Sequence, residues 1–570
     1  RTTWRCTYSS IYAERTFRPS KSIIISITDY MRSAIIKILI LFSVFDNLSS
    51  QPDLRFNPFD WVAYRQTGAI NSVSFSDRYA FIGTQMGGVL RFNINSQRFD
   101  EPITSAQGLD NNFVTAVHFS SNGILWVSTS DALQYSLSAE GDWRIIKLSS
   151  IGIPNRANIY RIGDDGKDIW IDSDGILYRL DSMTGIVLET IIRQDRAIRW
   201  SSGTNNMIND YSNMLFNYIF LDGWMNNLNN ILSPDGDYVN ITTLAENNFG
   251  QMMIGCSDGT FFFGNKSMRM LTPYKFGLAS NDVHAIDGKN SFWIAGRSTD
   301  LKAGITYFDP SRNIFDHYYF EKIINLDSSP IFSLIDLKKE TLFGGEEKII
   351  FFDKKDDMWT EFYLPTGLRR TIVNDMMEID DDLWIATSNG IMIIDKQTKK
   401  SFENEITDLL KNDIVYDLLY YKQTIFIATA SGLYIYDNKN EIFYEYESFG
   451  YMGKDYSFSP DRFRFTAISR YRNDIYFANQ ESIIKFNFLN RTWSKFVSAD
   501  IYGAMEIRDI EVFKNNMFIA TMNGLVHYNL KDKIVQVFNY KFLGRINKIN
   551  IKTSKVWIGT SQGMISYRYK

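Results

Sequence analysis

The chain repeats itself, and no other feature constrains its fold as strongly. Residues 383–395 read LWIATSNGIMIID, residues 425–437 read IFIATASGLYIYD, and residues 517–529 read MFIATMNGLVHYN. Aligning the residue in the tryptophan place of LWIAT gives eleven copies: Phe81, Trp126, Trp170, Met253, Trp293, Phe343, Trp384, Phe426, Tyr476, Phe518 and Trp557. The steps run from 39 to 50 residues, apart from one of 83 that leaves room for a decayed twelfth copy near residues 196–235. A period of that length means a repeat architecture, in which each unit buries its apolar face only against its neighbours.

The internal spacing of the unit says which architecture. A Thr precedes a Gly by three residues (Thr387/Gly390, Thr429/Gly432, Thr521/Gly524, Thr560/Gly563), with Cys256/Gly259 in the same places. Glycine there suits a hairpin turn with positive φ between alternating strand residues. Five residues later stands Asp395, Asp437 or Asn529, whose side chains can close a second turn on their own backbone. Another alternating segment lies upstream, such as Ile414 to Leu418, and a further one begins at Phe443 or Val535. Four short strands per period, with no helical stripe between them, make a propeller blade. The expectation is an all-β chain of tandem β-propellers, about twelve four-stranded blades in two six-bladed rings, with five plus seven as the other split. Rings at residues 51–312 and 313–570 follow from the phase of the repeats. The last unit, VWIGTSQGMISYRYK, lacks a fourth strand, and FDWVAYR at 59–65 resembles the fourth strands MWTEFYL (358–364) and TWSKFVS (492–498). The early segment is therefore expected to close the final blade.

Residues 1–50 stand outside this pattern. From Met31 the chain reads MRSAIIKILILFSVFDNLSSQ, with Arg32 and Lys37 ahead of an apolar run and a small polar stretch. Residues 31–50 are read as a secretion signal and 1–30 as translated upstream sequence. The apolar run is too short to cross a bilayer by itself, and no integral span is expected once the signal is removed. Charge is balanced, 61 Lys+Arg against 65 Asp+Glu, which argues against a nucleic-acid partner held by a basic face.

The LWIATSNGI and IFIATASGL segments, with preceding stretches such as GLASNDV (277–283), resemble two-component-regulator propeller repeats. Those repeats build the periplasmic sensor regions of hybrid histidine kinases and certain stand-alone exported propellers. The resemblance implies an exported binding or sensing module, in the periplasm or on the surface of a Gram-negative-type bacterium. It also implies a partner such as a separate membrane sensor or secretion component.

For the site itself, one long loop mixes aromatic and charged residues: SFGYMGKDYSFSPDRF at 448–463, with Tyr451, Lys454, Tyr456, Phe458 and Arg462. Rigid rings beside charges suit recognition of a protein or carbohydrate, although the rings can equally cap a blade end. Trp200 and Trp224 sit in the Asn-rich stretch 202–230 and its flank, either as part of that surface or within the decayed blade. Catalytic patterns are missing. The four histidines (His118, His284, His317, His527) have no metal-type spacing, no phosphate loop or nucleophile elbow occurs, and no cofactor is expected. Asp380-Asp381-Asp382 and Asp164-Asp165-Gly166 each precede an LWIAT-type strand, which reads as a solvated turn. A binding module is thus set against a propeller enzyme, such as a polysaccharide lyase or hydrolase, whose carboxylates meet in a channel. Two carboxylates with a His or Tyr at the channel mouth would favour the enzyme.

Overall fold

Every one of the eleven repeats folds into an antiparallel sheet whose strands follow in chain order. The structure, a computed structural model, describes residues 57–569 apart from 155–156, 195–196, 204–214, 228–229, 299–302, 324–325, 366–369, 445, 453–463, 480–481, 499–505 and 523. The proposed signal at 31–50 and the segment 1–30 lie outside the described residues.

The sheet opening at Val373–Ile379 shows the common plan. Its next strands are Asp382–Thr387, Gly390–Asp395 and Lys400–Phe402, paired in that order. Asp380 and Asp381 form the first turn, with Asp380 at φ 53°, so this acidic run is a hairpin and not a site. Thr387 Oγ1 donates to the Gly390 carbonyl at 2.8 Å, and the same bond recurs from Thr521 to Gly524 and from Thr560 to Gly563 at 2.9 Å. The turn residues behave as their chemistry demands: Asp437 Oδ1 accepts from the amides of Lys439 and Asn440, and Asn529 Oδ1 from those of Lys531 and Asp532. All eleven residues aligned on tryptophan lie on the second strand, and none is more than 4% exposed.

The first strands of the sheets touch one another and fix the higher order. Asp282–Asp287 lies against Ile331–Asp336, followed in turn by Val373–Ile379, Val415–Tyr421, Phe465–Tyr471, Ile507–Phe513 and Ile546–Lys552, which returns to Asp282–Asp287. Seven sheets therefore form a closed circuit. Its last sheet is completed from the other end of the chain: Trp61–Tyr64 pairs antiparallel with Gly563–Arg568, Trp61 opposite Tyr567 and Tyr64 opposite Met564. Gly563, at φ 126°, has no room for a Cβ, which would overlap the Tyr64 carbonyl. The closing role expected of FDWVAYR is what the structure shows.

A second, smaller set holds Ile70–Phe75, Val114–Phe119, Ile159–Asp164 and Ile241–Glu246, with Ile241–Glu246 against Ile70–Phe75. Among its described residues, the stretch expected to be a decayed blade makes no four-stranded sheet of its own. Arg199–Trp200 pairs with Gly163 and Asp164, and Ser202–Gly203 with Ser72 and Val73, across the inner edges of this set. Ile219–Phe220 adds to Met270–Leu271, and Met225–Asn227, Asn230–Leu232 and Tyr238–Val239 form a separate three-stranded sheet.

These pairings correct the division at 312/313. Ile314–Tyr319 is the fourth strand of the sheet begun by Asp282–Asp287, so that boundary would cut a continuous sheet. We infer instead a four-sheet set at 70–274 inserted between the closing strand and the seven-sheet circuit at 282–568. Among the described residues, the circuit alone is completed by a strand from the far end of the chain.

The two crossings between the sets lie side by side. Gln66 bridges Gly277, Leu278 N–H donates to the Arg65 carbonyl at 3.1 Å, and Thr67 Oγ1 donates to the Phe276 carbonyl at 2.5 Å. Gly277 has φ 95° and a Cβ there would overlap the Arg65 carbonyl oxygen. One apolar cluster contains Phe92 and Phe261 of the smaller set together with Tyr64, Phe308, Phe315 and Trp557 of the circuit.

Candidate functional site

The crossings floor a cleft of about 800 Å³ between the two sets, within the range of small-molecule sites. The smaller set contributes Asp258 and Thr260 from the Cys256/Gly259 hairpin turn, Trp224 from just before the strand Met225–Asn227, and Tyr238 from the strand Tyr238–Val239. The circuit contributes His317 and Tyr319 from its strand Ile314–Tyr319. Lys275 lies on the second crossing, its Nζ 3.6 Å from Asp258 Oδ2 and 5.2 Å from the Tyr319 ring centroid. Burial works to discharge that ammonium, but Tyr319 and Asp258 together outweigh it and hold its pKa above the ordinary lysine range. The His317 pKa is pushed down to about 3, by burial first and by the Lys275 charge second. His317 Nε2 lies 2.9 Å from the Gly277 carbonyl, which can only accept, so Nε2 carries the proton and Nδ1 presents a lone pair. Lys322 closes one side on Asp237 at 2.7 Å. Five carboxylates line the cleft (Asp235, Asp237, Asp258, Asp316, Glu321) against two lysines. An excess of acceptors beside aromatic walls suits a ligand rich in hydroxyl donors and ill suits an anion.

A second polar region lies where the first strands of the circuit meet. In six of the seven the register shifts between the first and third residue, as between Val373 and Asp375 or Ile507 and Asp509, and in Asp282–Asp287 it shifts between Val283 and Ala285. The bulge leaves side chains at the second and third places free to reach the next sheet. Asn374 Nδ2 donates to the Val415 carbonyl, Thr466 Oγ1 to that of Ile507 and Asn547 Nδ2 to that of Val283, at 2.7 to 2.9 Å. At the third place, Asp375 accepts from the Leu418 amide at 3.0 Å, Asp417 from Ile468 at 2.6 Å and Asp509 from Ile549 at 2.7 Å. Lys548 Nζ lies 3.3 Å from Asp509 Oδ1. These acids meet Tyr416 and His284 around a cavity of about 230 Å³, so the carboxylate pair and Tyr expected of an enzyme are present. Their oxygens, however, are engaged in joining one sheet to the next.

Burial raises the pKa of Asp375, Asp417 and Asp509. Glu511 is pushed up to about 7, by burial first and Asp509 second. A carboxyl raised in the folded state stabilises below its unfolded pKa, and that contribution is lost as pH climbs through the folded value. The depressed imidazoles of His118, His317 and His527 act in the opposite sense. The difference between Glu511→Gln and parent isolates the carboxyl. The variant's Tm relative to parent is expected to rise between about pH 5 and about pH 7.5. A difference independent of pH would refute the assignment.

Of the residues singled out in the sequence, Trp224 lines the cleft, half-buried with its ring edge-on to Phe262 at 5.1 Å. Trp200 does not. It pairs with Gly163, under the Arg161 guanidinium at 4.3 Å. Tyr451 is 74% exposed on a two-residue strand beside Thr492–Ser498, and Lys454, Tyr456, Phe458 and Arg462 lie outside the described residues. The sequence signalled neither Lys275 nor His317, since a lone lysine in a connection and a lone strand histidine carry no spacing. The Asp164 turn is also more than solvated: Asp164 is buried, 2.7 Å from His118 Nε2 and bonded to Ser121 and Arg199.

Comparison with known proteins bears on the stretch GLDNNFVTAVHFSSNGILWVSTSD. The family model described as two component regulator propeller matches residues 108–131. That one stretch is a two-component-regulator propeller repeat. The matched repeat spans the inner hairpin, Val114–Phe119 with Leu125–Thr129, and the turn before it. Its GL pair has a physical role: Gly108, at φ 100°, ends the helical turn Ser105–Gln107, and Leu109 is fully buried. Solved structures similar to this propeller chain include the extracellular domains of the hybrid two component systems BT4673 and BT3049 from B. thetaiotaomicron. The first is 14% identical with TM-score 0.39, over 87% of this chain and 68% of that one. The second is 16% identical with TM-score 0.40, over 88% and 75%. PorZ, a surface component of the type-IX secretion system of Porphyromonas gingivalis, is 13% identical with TM-score 0.41, over 88% and 74%. No curated protein sequence matches the chain.

Proposed function

We propose that this propeller chain is an exported binding module that takes a neutral, polyhydroxylated ligand, a saccharide, in the cleft between its two sets of sheets. The observation that carries the reading is the cleft's build. Both sets and both crossings contribute to it, Lys275 is kept charged between Asp258 and Tyr319, and His317 is fixed as a neutral acceptor. Such groups hold and orient hydroxyls. The loop bearing Tyr451 is kept as the surface for a protein partner, and export rests on the 31–50 segment. Among the described residues no helix is long and apolar enough to cross a membrane.

The test is a screen of neutral oligosaccharides by calorimetry against the full chain, repeated with Trp224→Ala and Lys275→Met. Either substitution is expected to weaken a ligand so found by about tenfold or more, since one lost charged hydrogen bond is worth about 1.5–3 kcal/mol. Binding untouched by both would remove the cleft from consideration. The enzyme alternative has one specific observation in its favour, the acids converging at Asp375, Asp417 and Asp509. Polysaccharide turnover abolished by Asp417→Asn would establish it.

A further inference from the structure

A second cleft, of about 730 Å³, opens between the first two sheets of the seven-sheet circuit, and its character is the reverse of the first. Its floor is aromatic. Trp293 and Phe352 are buried with centroids 5.2 Å apart, and half-buried Tyr307 and Tyr318 lie 4.9 and 5.4 Å from Trp293. Its rim is basic, with Lys289, Lys338 and Lys354 set against Asp336. Lys354 is already spoken for, donating to Asp336 Oδ1 and the Leu337 carbonyl at 2.5 Å. Lys289 and Lys338 are exposed and have no carboxylate partner among the described residues.

The turns carrying those two lysines are held in fixed relation. Asp287 Oδ2 accepts from the Asp336 amide of the neighbouring sheet at 2.9 Å, while its Oδ1 accepts from Gly288 at 2.7 Å. Two unneutralised ammonium groups thus border an aromatic floor, with Asn290, Ser291 and the tyrosines also lining the cleft for polar contact. Among the described residues the rim has no arginine, whose planar fork matches carboxylates. Lysines act as point charges and suit the rotationally indifferent charge of a phosphate.

We propose that this cleft binds a sugar phosphate, its ring stacked on the tyrosine and tryptophan floor and its phosphate dianion between Lys289 and Lys338. The site is separate from the acidic cleft between the sets, although Tyr318 borders both.

The experiment uses calorimetry on the full chain with glucose 6-phosphate, glucose, inorganic phosphate and phenyl phosphate, alongside the Lys289→Ala/Lys338→Ala variant. Both lysines are exposed, so the variant is expected to keep the parent Tm. Glucose 6-phosphate should bind saturably, with glucose and inorganic phosphate each weaker by about tenfold or more. The double variant should lose at least about tenfold, and parent affinity should fall as salt rises. Absence of saturable binding by the sugar phosphate, or equal binding by the double variant, would overturn the site. Equal affinity for glucose would overturn the phosphate assignment, and equal affinity for phenyl phosphate the sugar assignment. Trp224→Ala should leave this binding unchanged, so its failure and that of the saccharide cleft can be told apart.

Discussion

Trp61→Ala is expected to cost the protein about 3–5 kcal/mol, the usual range for deleting a fully buried tryptophan, and to be the most damaging single truncation in the closing strand. Trp61 is 0% exposed and stacks on Tyr567 of its pairing partner at a centroid distance of 4.0 Å. It also meets Phe538, Tyr540 and Phe542 edge-on, at 5.1 to 5.8 Å. Those three rings belong to the preceding sheet and the turn that follows it, so one side chain fastens the closing strand to two sheets. The strand is only four residues long, and its backbone pairing alone is a weak clasp. Urea unfolding of parent and variant measures the loss. The control is Ile186→Ala, on a side chain 63% exposed beside another outer strand, for which little change is expected. A cost for Trp61→Ala below about 1 kcal/mol would mean that the circuit does not depend on this closure.

The clasp was legible in the sequence because it repeats a pattern found elsewhere in the chain. FDWVAYR matches MWTEFYL, and the last repeat visibly stops one strand short. The second strands, the Thr–Gly hairpins and the Asp and Asn turns were legible for the same reason: each is dictated locally and written many times. Membership of a set was not legible. It is decided by contacts such as Asn547 to Val283, 264 residues apart, and a repeat looks the same whichever neighbours it will touch. Arg199–Gly203 and the short strands Met225–Asn227, Asn230–Leu232 and Tyr238–Val239 lack the repeat, and nothing in their sequence signals inner edges or a small sheet. Of the cleft, only Trp224 was visible, because Lys275 and His317 gain their roles from two crossings that come together only in the folded chain. The converging acids were hidden likewise. Asp375, Asp417 and Asp509 share a place in the repeat, but only the bulge turns them toward the next sheet.

Whether those acids serve structure or chemistry can be decided at Asp417. Its Oδ2 accepts from Ile468 N–H of the neighbouring sheet at 2.6 Å, and its Oδ1 from its own chain at Leu418. Burial followed by the Asp375 charge drives its pKa well above the ordinary aspartate range. Asp417→Ala removes the acceptor and strands a buried amide, at an expected cost of about 2 kcal/mol. Asp417→Asn keeps an acceptor oxygen in place and removes a charge that burial and Asp375 both oppose, so it should be neutral or stabilising near neutral pH. The ordering is the test. If the carboxylates join sheet to sheet, unfolding midpoints will place Asn at or above parent and Ala well below. Equal losses in both variants would show that the negative charge itself is needed, and would hand the channel back to the enzyme reading.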